Sequence, residues 1–287
     1  MQLQRSDWND RFDAFAAHKE AAASAAVISP FTTPVDHADG DLSAIGNAWS
    51  RTLFDGPFYL SSASSTDVPA ASLVFVQSRD GNTGARNPST LGGGQADLHL
   101  IYEGLSRVAA DAVLAGAGTI RGAHLVLSTW HPELVRLRAT LGLPRHPVQI
   151  VATLRGVALD DGLMFNVPDV PVILVTVPPV ADQMRHALAA RPWITPLVLD
   201  NPRDLTQAFR QLRRQGIRRV SCIGGRTVAA HLVDAGLIQD LYLTTAAKAG
   251  GEPDTPWYPR PVASRTIVRK LGTGDDTGVV FEHLSLV

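Results

Sequence analysis

The chain has 287 residues, about twice the ~150-residue span of a typical domain, so one large domain or two small ones fit. Its 26 Lys and Arg against 27 Asp and Glu leave a net charge of −1, which argues against a basic nucleic-acid or membrane-surface footprint. The single cysteine, Cys222, excludes an intramolecular disulfide and a four-cysteine zinc site. Hydrophobic residues make up 45% and charged residues 18%, ordinary proportions for a chain that buries a core. No apolar stretch approaches the ~20 residues a membrane span needs. Met1–Asp7 lacks a basic region leading into an apolar run, so no signal peptide and a cytoplasmic location are expected.

Asp7–Ala26 is rich in alanine and reads as a helix, with Ser6 or Asp7 as its cap. Ser29–Pro34 is a run of turn formers, and a short helix is expected over Leu42–Phe54. Ser61–Pro69 reads as a linker, which puts a boundary near Ala70 and makes residues 1–70 an extension packed on the main domain, 71–287. From there short apolar runs alternate with amphipathic helices. Strands are expected at Ser72–Gln77, Ala112–Ala115, Val148–Thr153, Val170–Val175, Pro196–Leu199, Arg219–Ile223 and Asp240–Thr245. Helices are expected at Gln95–Val108 and Ala181–Ala190, at the Leu205–Leu212 stripe capped by Asp200 or Asn201, and after Gly224-Gly225. Thr266–Lys270 and Gly278–Leu286 read as a closing hairpin. Strands alternating with helices imply an α/β fold with a mainly parallel sheet, and the hairpin implies an antiparallel C-terminal edge.

Three turns at strand ends carry the chemistry. Ala115–Gly122 follows a strand with GxGxxxG spacing, and Gly116, Gly118 and Thr119 could let backbone amides approach a phosphate. The GxGxxG fingerprint of dinucleotide folds is not met, and a tight structural turn is the simpler local reading. Gly224-Gly225-Arg226-Thr227-Val228 opens a helix whose N-terminus favours anions, or is a close-packed turn. Two such turns on one sheet edge raise the prospect of a dinucleotide site. The third is Gln77-Ser78-Arg79-Asp80-Gly81, where Asp80 could contact a polar substrate, donate a proton or fix its own turn. His99, Glu103 and Arg107 on the next helix could line a pocket or serve its surface.

Weaker signals have plainer readings. His131-Pro132-Glu133 is half of a zinc-deaminase signature whose Cys-x-x-Cys half is missing, so no metal is expected. Arg210, Arg213, Arg214, Arg218 and Arg219 read as a solvated face, and Trp130, Trp193 and Trp257 as packing residues.

The ordered set, with Ala110-Asp111-Ala112-Val113-Leu114-Ala115-Gly116-Ala117-Gly118-Thr119 as its most specific piece, resembles the riboflavin-biosynthesis pyrimidine reductase domain of the dihydrofolate reductase-like superfamily, over roughly residues 71–287. The resemblance implies a three-layer αβα sandwich, NADPH as hydride donor, a small-molecule substrate and a homodimer. It assigns the cofactor to Gln77, Gly116, Gly118, Thr119, Thr153 and Gly224–Val228, with Thr153 near the adenosine ribose. The family reaction reduces the ribose of a phosphoribosylaminouracil. For this chain the reading is hydride transfer to a C=N or C=O carbon of a pyrimidine-, pterin- or other heterocycle-like molecule, with Ser78, His99, Glu103 and Arg107 as substrate candidates and Asp80 as the catalytic one. Departures lie on the substrate side. Ile223 stands where the family has a glutamate, Ala123 where it has an aspartate, and His124–Trp130 replaces a sugar-phosphate-binding stretch. A non-catalytic nucleotide sensor or partner-binding descendant is the alternative these departures raise.

Overall fold

The computed structural model describes residues 5–85, 87–120 and 125–286, and among these residues there are twelve strands, the central parallel ones mostly apolar runs bounded by turns. The strands are β1 (Phe31–Asp36), β2 (Ser43–Ile45), β3 (Phe58–Leu60), β4 (Ala70–Gln77), β5 (Ala112–Gly116), β6 (Val148–Ala152), β7 (Val172–Thr176), β8 (Ile194–Val198), β9 (Arg219–Cys222), β10 (Asp240–Thr245), β11 (Ser264–Gly272) and β12 (Val280–Leu286). Ten form one sheet in the order β1-β11-β12-β10-β4-β9-β5-β6-β7-β8, while β2 and β3 pair separately. From β10 to β8 every pairing is parallel. The β11–β12 hairpin and β1 add an antiparallel edge.

Parallel strands need covering on both faces, and the sequence supplies both covers. β5 and β7 are buried at all five positions. On one face lie the helices Leu205–Arg214 and Arg226–Asp234, whose Ala208, Phe209, Leu212, Ala229 and Leu232 pack on Leu73, Leu114 and Leu241. The other face is covered by the helical segment from Ala96, by Pro132–Thr140 and by the N-terminal helix Arg5–Ala25, which inserts Trp8 and Ala23 into the core. The result is the expected three-layer αβα sandwich.

Several local expectations change. The first helix starts at Arg5, so Ser6 and Asp7 lie inside it. Leu42–Phe54 is not one helix: Gly46 at φ +137° breaks it, and Asn47 caps the short helix Ala48–Leu53 by accepting from the Ser50 amide. Part of the first 70 residues joins the main sheet, because β1 pairs with β11 despite Pro34, a residue that edge strands tolerate. Asp204, not Asp200 or Asn201, caps Leu205–Arg214 by accepting from the Gln207 amide. Ala181–Ala190 divides at Met184 into Pro178–Gln183 and Arg185–Ala189.

The expected helix Gln95–Val108 is a π-helix, Ala96–Leu105, followed by one α-turn, Ser106–Val108. The chain breaks helical geometry at Gly104. A Cβ there would stand 2.5 Å from Leu134 Cδ1 and 2.7 Å from the His99 carbonyl oxygen.

Candidate functional site

Parallel strands present their carboxyl ends on one edge of the sheet, where neighbouring turns must meet. Here the tips of β10, β4, β9, β5 and β6 lie side by side. Thr245 is opposite Gln77, Cys222 opposite Leu114, and Gly116 opposite Ala152. The turn after β9 is tied to β5 by the Ile223 amide, which donates to the Leu114 carbonyl at 3.0 Å.

The two glycine turns touch. A Cβ on Gly225 would lie 3.4 Å from Thr119 Oγ1 and 4.0 Å from Gly116 Cα, and one on Gly116 would lie 3.1 Å from Val228 Cγ2. Gly224 and Gly225 take φ +120° and +72°, values that L side chains rarely adopt. Among the described residues, a Cβ on Gly118 or Gly224 would meet nothing within 4 Å. The helix Arg226–Asp234 begins here with Gly225 as its N-cap and no side-chain cap bond, leaving its leading amides to an anion. Arg226 stands at this end, only loosely held by Glu252 at 4.0 Å, and Thr227 is exposed beside it.

The remaining cofactor candidates shape the edge. Gln77 Nε2 donates to Thr245 Oγ1 at 2.9 Å, joining the β4 and β10 tips. Thr153, 7% exposed, donates through its hydroxyl to the Gly156 carbonyl at 3.0 Å and accepts from the Arg155 amide at 3.3 Å, so it builds the turn after β6.

Asp80 is spent on its own turn and a neighbouring strap. Ser78 Oγ donates to Asp80 Oδ1 at 2.5 Å, and the Gly250 amide donates to the same oxygen at 3.1 Å. These bonds hold the Asp80 carboxyl below its ordinary range, so near neutral pH it is an acceptor with no proton to give. Ser78 is fully buried in that turn.

The three helix candidates separate. His99 and Glu103 are buried together, with His99 Nδ1 3.7 Å from Glu103 Oε2, while Lys19 of the N-terminal helix binds Glu103 Oε1 at 2.5 Å. Burial lowers the His99 pKa. Arg107 stands toward the opposite end of the sheet. Its Nη1 donates to the Ser128 carbonyl at 3.2 Å, next to Leu127, which bonds Gln149 near the start of β6. Tyr102 stacks under the Arg107 guanidinium, 4.1 Å from ring centroid to Cζ.

Ile223 is 6% exposed and belongs to an apolar cluster with Trp8, Ala117, Ile120 and Trp130. Ala123 and His124 lie outside the described residues. Trp193 donates to the Phe165 carbonyl and Trp257 packs near Phe75. Arg210 pairs with exposed Asp67. His131 caps the helix Pro132–Thr140 by accepting from the Glu133 amide, a structural use for the His-Pro-Glu run. Among the described residues no group of three His, Cys, Asp or Glu could hold a metal ion, and no helix is long and apolar enough to cross a membrane.

Among the buried carboxyls the sequence reading passed over is Asp97. Asp97 sits in the first turn of the π-helix, facing Thr244 of β10, with 9% of its surface exposed. The only signal was an acidic residue in the first turn of a strongly apolar helix, a position usually solvated at a helix start.

Residues 70–275 match the family described as the RibD C-terminal domain. RibD of Acinetobacter baumannii is similar over 78% of this chain and 59% of its own, with 18% identity and a TM-score of 0.60. A pyrimidine reductase-like protein of Corynebacterium diphtheriae aligns over 76% of this chain and 92% of its own, with 19% identity and a TM-score of 0.54. The diaminohydroxyphosphoribosylaminopyrimidine deaminase/5-amino-6-(5-phosphoribosylamino)uracil reductase of Thermotoga maritima aligns over 77% and 57%, with 15% identity and a TM-score of 0.53. The chain thus spans under two thirds of the RibD-type chains, and at these identities the likeness is one of fold. No curated protein matches the chain.

Proposed function

The chain belongs to the RibD C-terminal domain family, the pyrimidine reductases of riboflavin biosynthesis, and from that premise we propose that it is an NADPH-dependent reductase acting on a C=N or C=O carbon of a pyrimidine-, pterin- or related heterocyclic small molecule. The observation that carries this reading is the contact between the turns at Gly116–Thr119 and Gly224–Val228, with no described atom within 4 Å of where a Cβ on Gly118 or Gly224 would stand. Backbone without side chains, next to an uncapped helix N-terminus, is the chemistry a pyrophosphate requires. The residues present therefore fit the group.

NADPH, when bound, supplies the hydride. The chain's own task is to bind, orient and exclude water. The leading amides of Arg226–Asp234 and the Thr227 hydroxyl would take phosphate oxygens, with Arg226 free to leave its weak pair with Glu252. Gly116, Gly118 and Thr119 form the opposite wall. Thr153 holds the β6 turn against the adenosine end, and Gln77 stiffens the edge beside the nicotinamide end. Ile223 and its apolar cluster keep water from one wall.

Titration of the protein with NADPH and NADH, followed by nucleotide fluorescence, tests the reading. Saturable binding with NADPH preferred is expected, and no saturable binding of either would overturn it. A second reading, a non-catalytic nucleotide sensor, is favoured by apolar Ile223 and by the engaged Asp80 carboxylate. Nucleotide binding without NADPH oxidation on any of a panel of imines and pyrimidine ribosides would select it. A homodimer is the assembly the family resemblance favours, and light scattering would measure it.

A further inference from the structure

The strap that follows β10 brings a carboxylate to the helix end where phosphate is expected. Residues 246–256 leave the β10 tip and lie along the 77–84 turn. The Arg79 amide donates to the Lys248 carbonyl at 2.8 Å, the Gly250 amide to Asp80 Oδ1 at 3.1 Å, and the Glu252 amide to the Gly84 carbonyl at 2.7 Å. The Thr255 amide donates to Asn82 Oδ1 at 3.3 Å, and the Gly84 amide to Thr255 Oγ1 at 2.9 Å. Bonds on either side of Glu252 thus fix the backbone that carries it.

The side chain of Glu252 is placed as well. A Cβ on Gly84 would stand 2.9 Å from Glu252 Oε2 and 3.0 Å from Glu252 Cβ, so the missing side chain of Gly84 leaves the slot in which the carboxylate lies. From there Glu252 Oε2 reaches to 4.0 Å from Arg226 Nη2, at the start of the helix Arg226–Asp234. That separation is an ion pair without a hydrogen bond. Among the described residues Glu252 is the ion-pair partner of Arg226. The Arg226 side chain is 43% exposed, so an anion arriving from solvent has access to its guanidinium.

The two partners differ in freedom. Glu252 sits on a braced backbone over Gly84. Arg226 swings on a long side chain, and its planar fork of five donors suits a phosphate better than a carboxylate at 4.0 Å. A phosphate at the helix N-terminus would therefore draw Arg226 over and leave Glu252 behind as an uncompensated negative charge. Like charges brought together oppose binding.

We propose that Glu252 is a positioning residue for the coenzyme: it holds Arg226 at the helix N-terminus of the empty site, yields it to the incoming phosphate, and by its own fixed charge keeps the affinity low enough for exchange. This rests on the coenzyme reading above. A reductase must release oxidised coenzyme in every cycle, and release often limits turnover. The exchange has a thermodynamic signature. Arg226 contributes its attraction for phosphate less the pair it gives up, so removing Glu252 makes Arg226 matter more. If Arg226 kept its place beside Glu252, the two side chains would act independently.

Fluorescence titration with NADPH, at low and high salt, tests this on full-length wild type, Glu252→Gln, Glu252→Lys, Arg226→Ala and the double variant Glu252→Gln/Arg226→Ala. Glu252→Gln should bind NADPH about three- to tenfold more tightly and Glu252→Lys more tightly still, with the gain shrinking as salt rises. Arg226→Ala should cost about two- to fivefold more affinity in the Glu252→Gln background than in wild type. A side chain with a merely structural role would not strengthen binding on removal. Unchanged or weaker binding by the Glu252 variants overturns the proposal, and so do additive effects of the two substitutions. Absence of saturable NADPH binding by wild type sinks the coenzyme reading instead. Should Glu252→Gln fail to fold, the affinity of Glu252→Lys and its salt dependence decide the matter.

Discussion

The two ends of the parallel sheet are built from the same strands and finished in opposite ways. At the amino ends, side chains plug the backbone. Arg138, 1% exposed, donates to the carbonyls of Arg107, Val108 and Ala110 at 3.1, 3.3 and 2.6 Å and to Pro144 at 2.6 Å. Asp111 accepts from the Arg218 and Arg219 amides at 2.8 Å. Asp240 accepts from Ser61 Oγ at 2.6 Å and pairs with His283 at 2.7 Å. At the carboxyl ends β5 and β9 run into glycines, and the helix Arg226–Asp234 starts without a side-chain cap. A sheet end whose polar backbone is satisfied internally contributes stability. One left to glycine keeps donors and space for a ligand.

Substitutions at the two ends should therefore fail differently. Gly225→Asp forces a side chain onto φ +72° beside Thr119 and puts a carboxylate where phosphate is expected. It should reduce nucleotide affinity by at least about a hundredfold, since like charges juxtaposed cost several kcal/mol, and fluorescence titration measures this. Arg138→Met at the other end leaves buried carbonyls unpaired and should cost about 2–3 kcal/mol in urea unfolding. Nucleotide affinity of the folded fraction should be unchanged. If Arg138→Met instead abolished binding in folded protein, the division between the ends would be lost.

Two pH effects of opposite sign sharpen the contrast. His146, bonded to Ser128 near the amino ends, has its pKa lowered to about 4 by burial and by Arg145 and Arg138. Between the ordinary 6.5 and about 4 the unfolded chain takes up a proton that the folded one refuses, so stability falls as pH drops through that window. Asp97 works the other way. With its pKa raised from 3.8 to about 6, the folded chain keeps a proton the unfolded one releases, and stability falls as pH rises through that interval. Thermal unfolding from pH 4 to 7 should show His146→Gln flattening the acid-side loss and Asp97→Asn removing the opposing slope. The smallest effect is expected for Arg226→Ala. An exposed guanidinium at a helix end is worth about 0.5–1 kcal/mol, so NADPH should bind a few-fold more weakly and with a shallower salt dependence.

Legibility in the sequence followed periodicity and glycine. The parallel strands were visible because buried β strands read as continuous apolar runs, and the Gly116 and Gly225 turns because glycine after such a run has few other uses. β1 was hidden, since Phe31–Asp36 carries Pro34 and sits in a run of turn formers, and only pairing with β11 makes it a strand. The π-helix was read as an ordinary helix because its departure depends on how Gly104 meets Leu134, a contact 30 residues away. The turn-fixing role of Asp80 was legible from its place in the turn, and its local bond from Ser78 agrees. Its second donor, Gly250, and the partner of Arg107, Ser128, lie far off in sequence and were out of reach.

What the sequence determined by itself is therefore local: which segments are strands, where they turn, and that glycine ends two of them. Tertiary structure alone decided that these two turns touch, that Gly250 is a second donor to Asp80, and that Asp97 meets Thr244 beneath Gly93. The physical reason is that turn chemistry and hydrophobic period act over a few residues. A side chain's remaining bonding capacity is set by whatever the folded chain brings against it from far away in sequence.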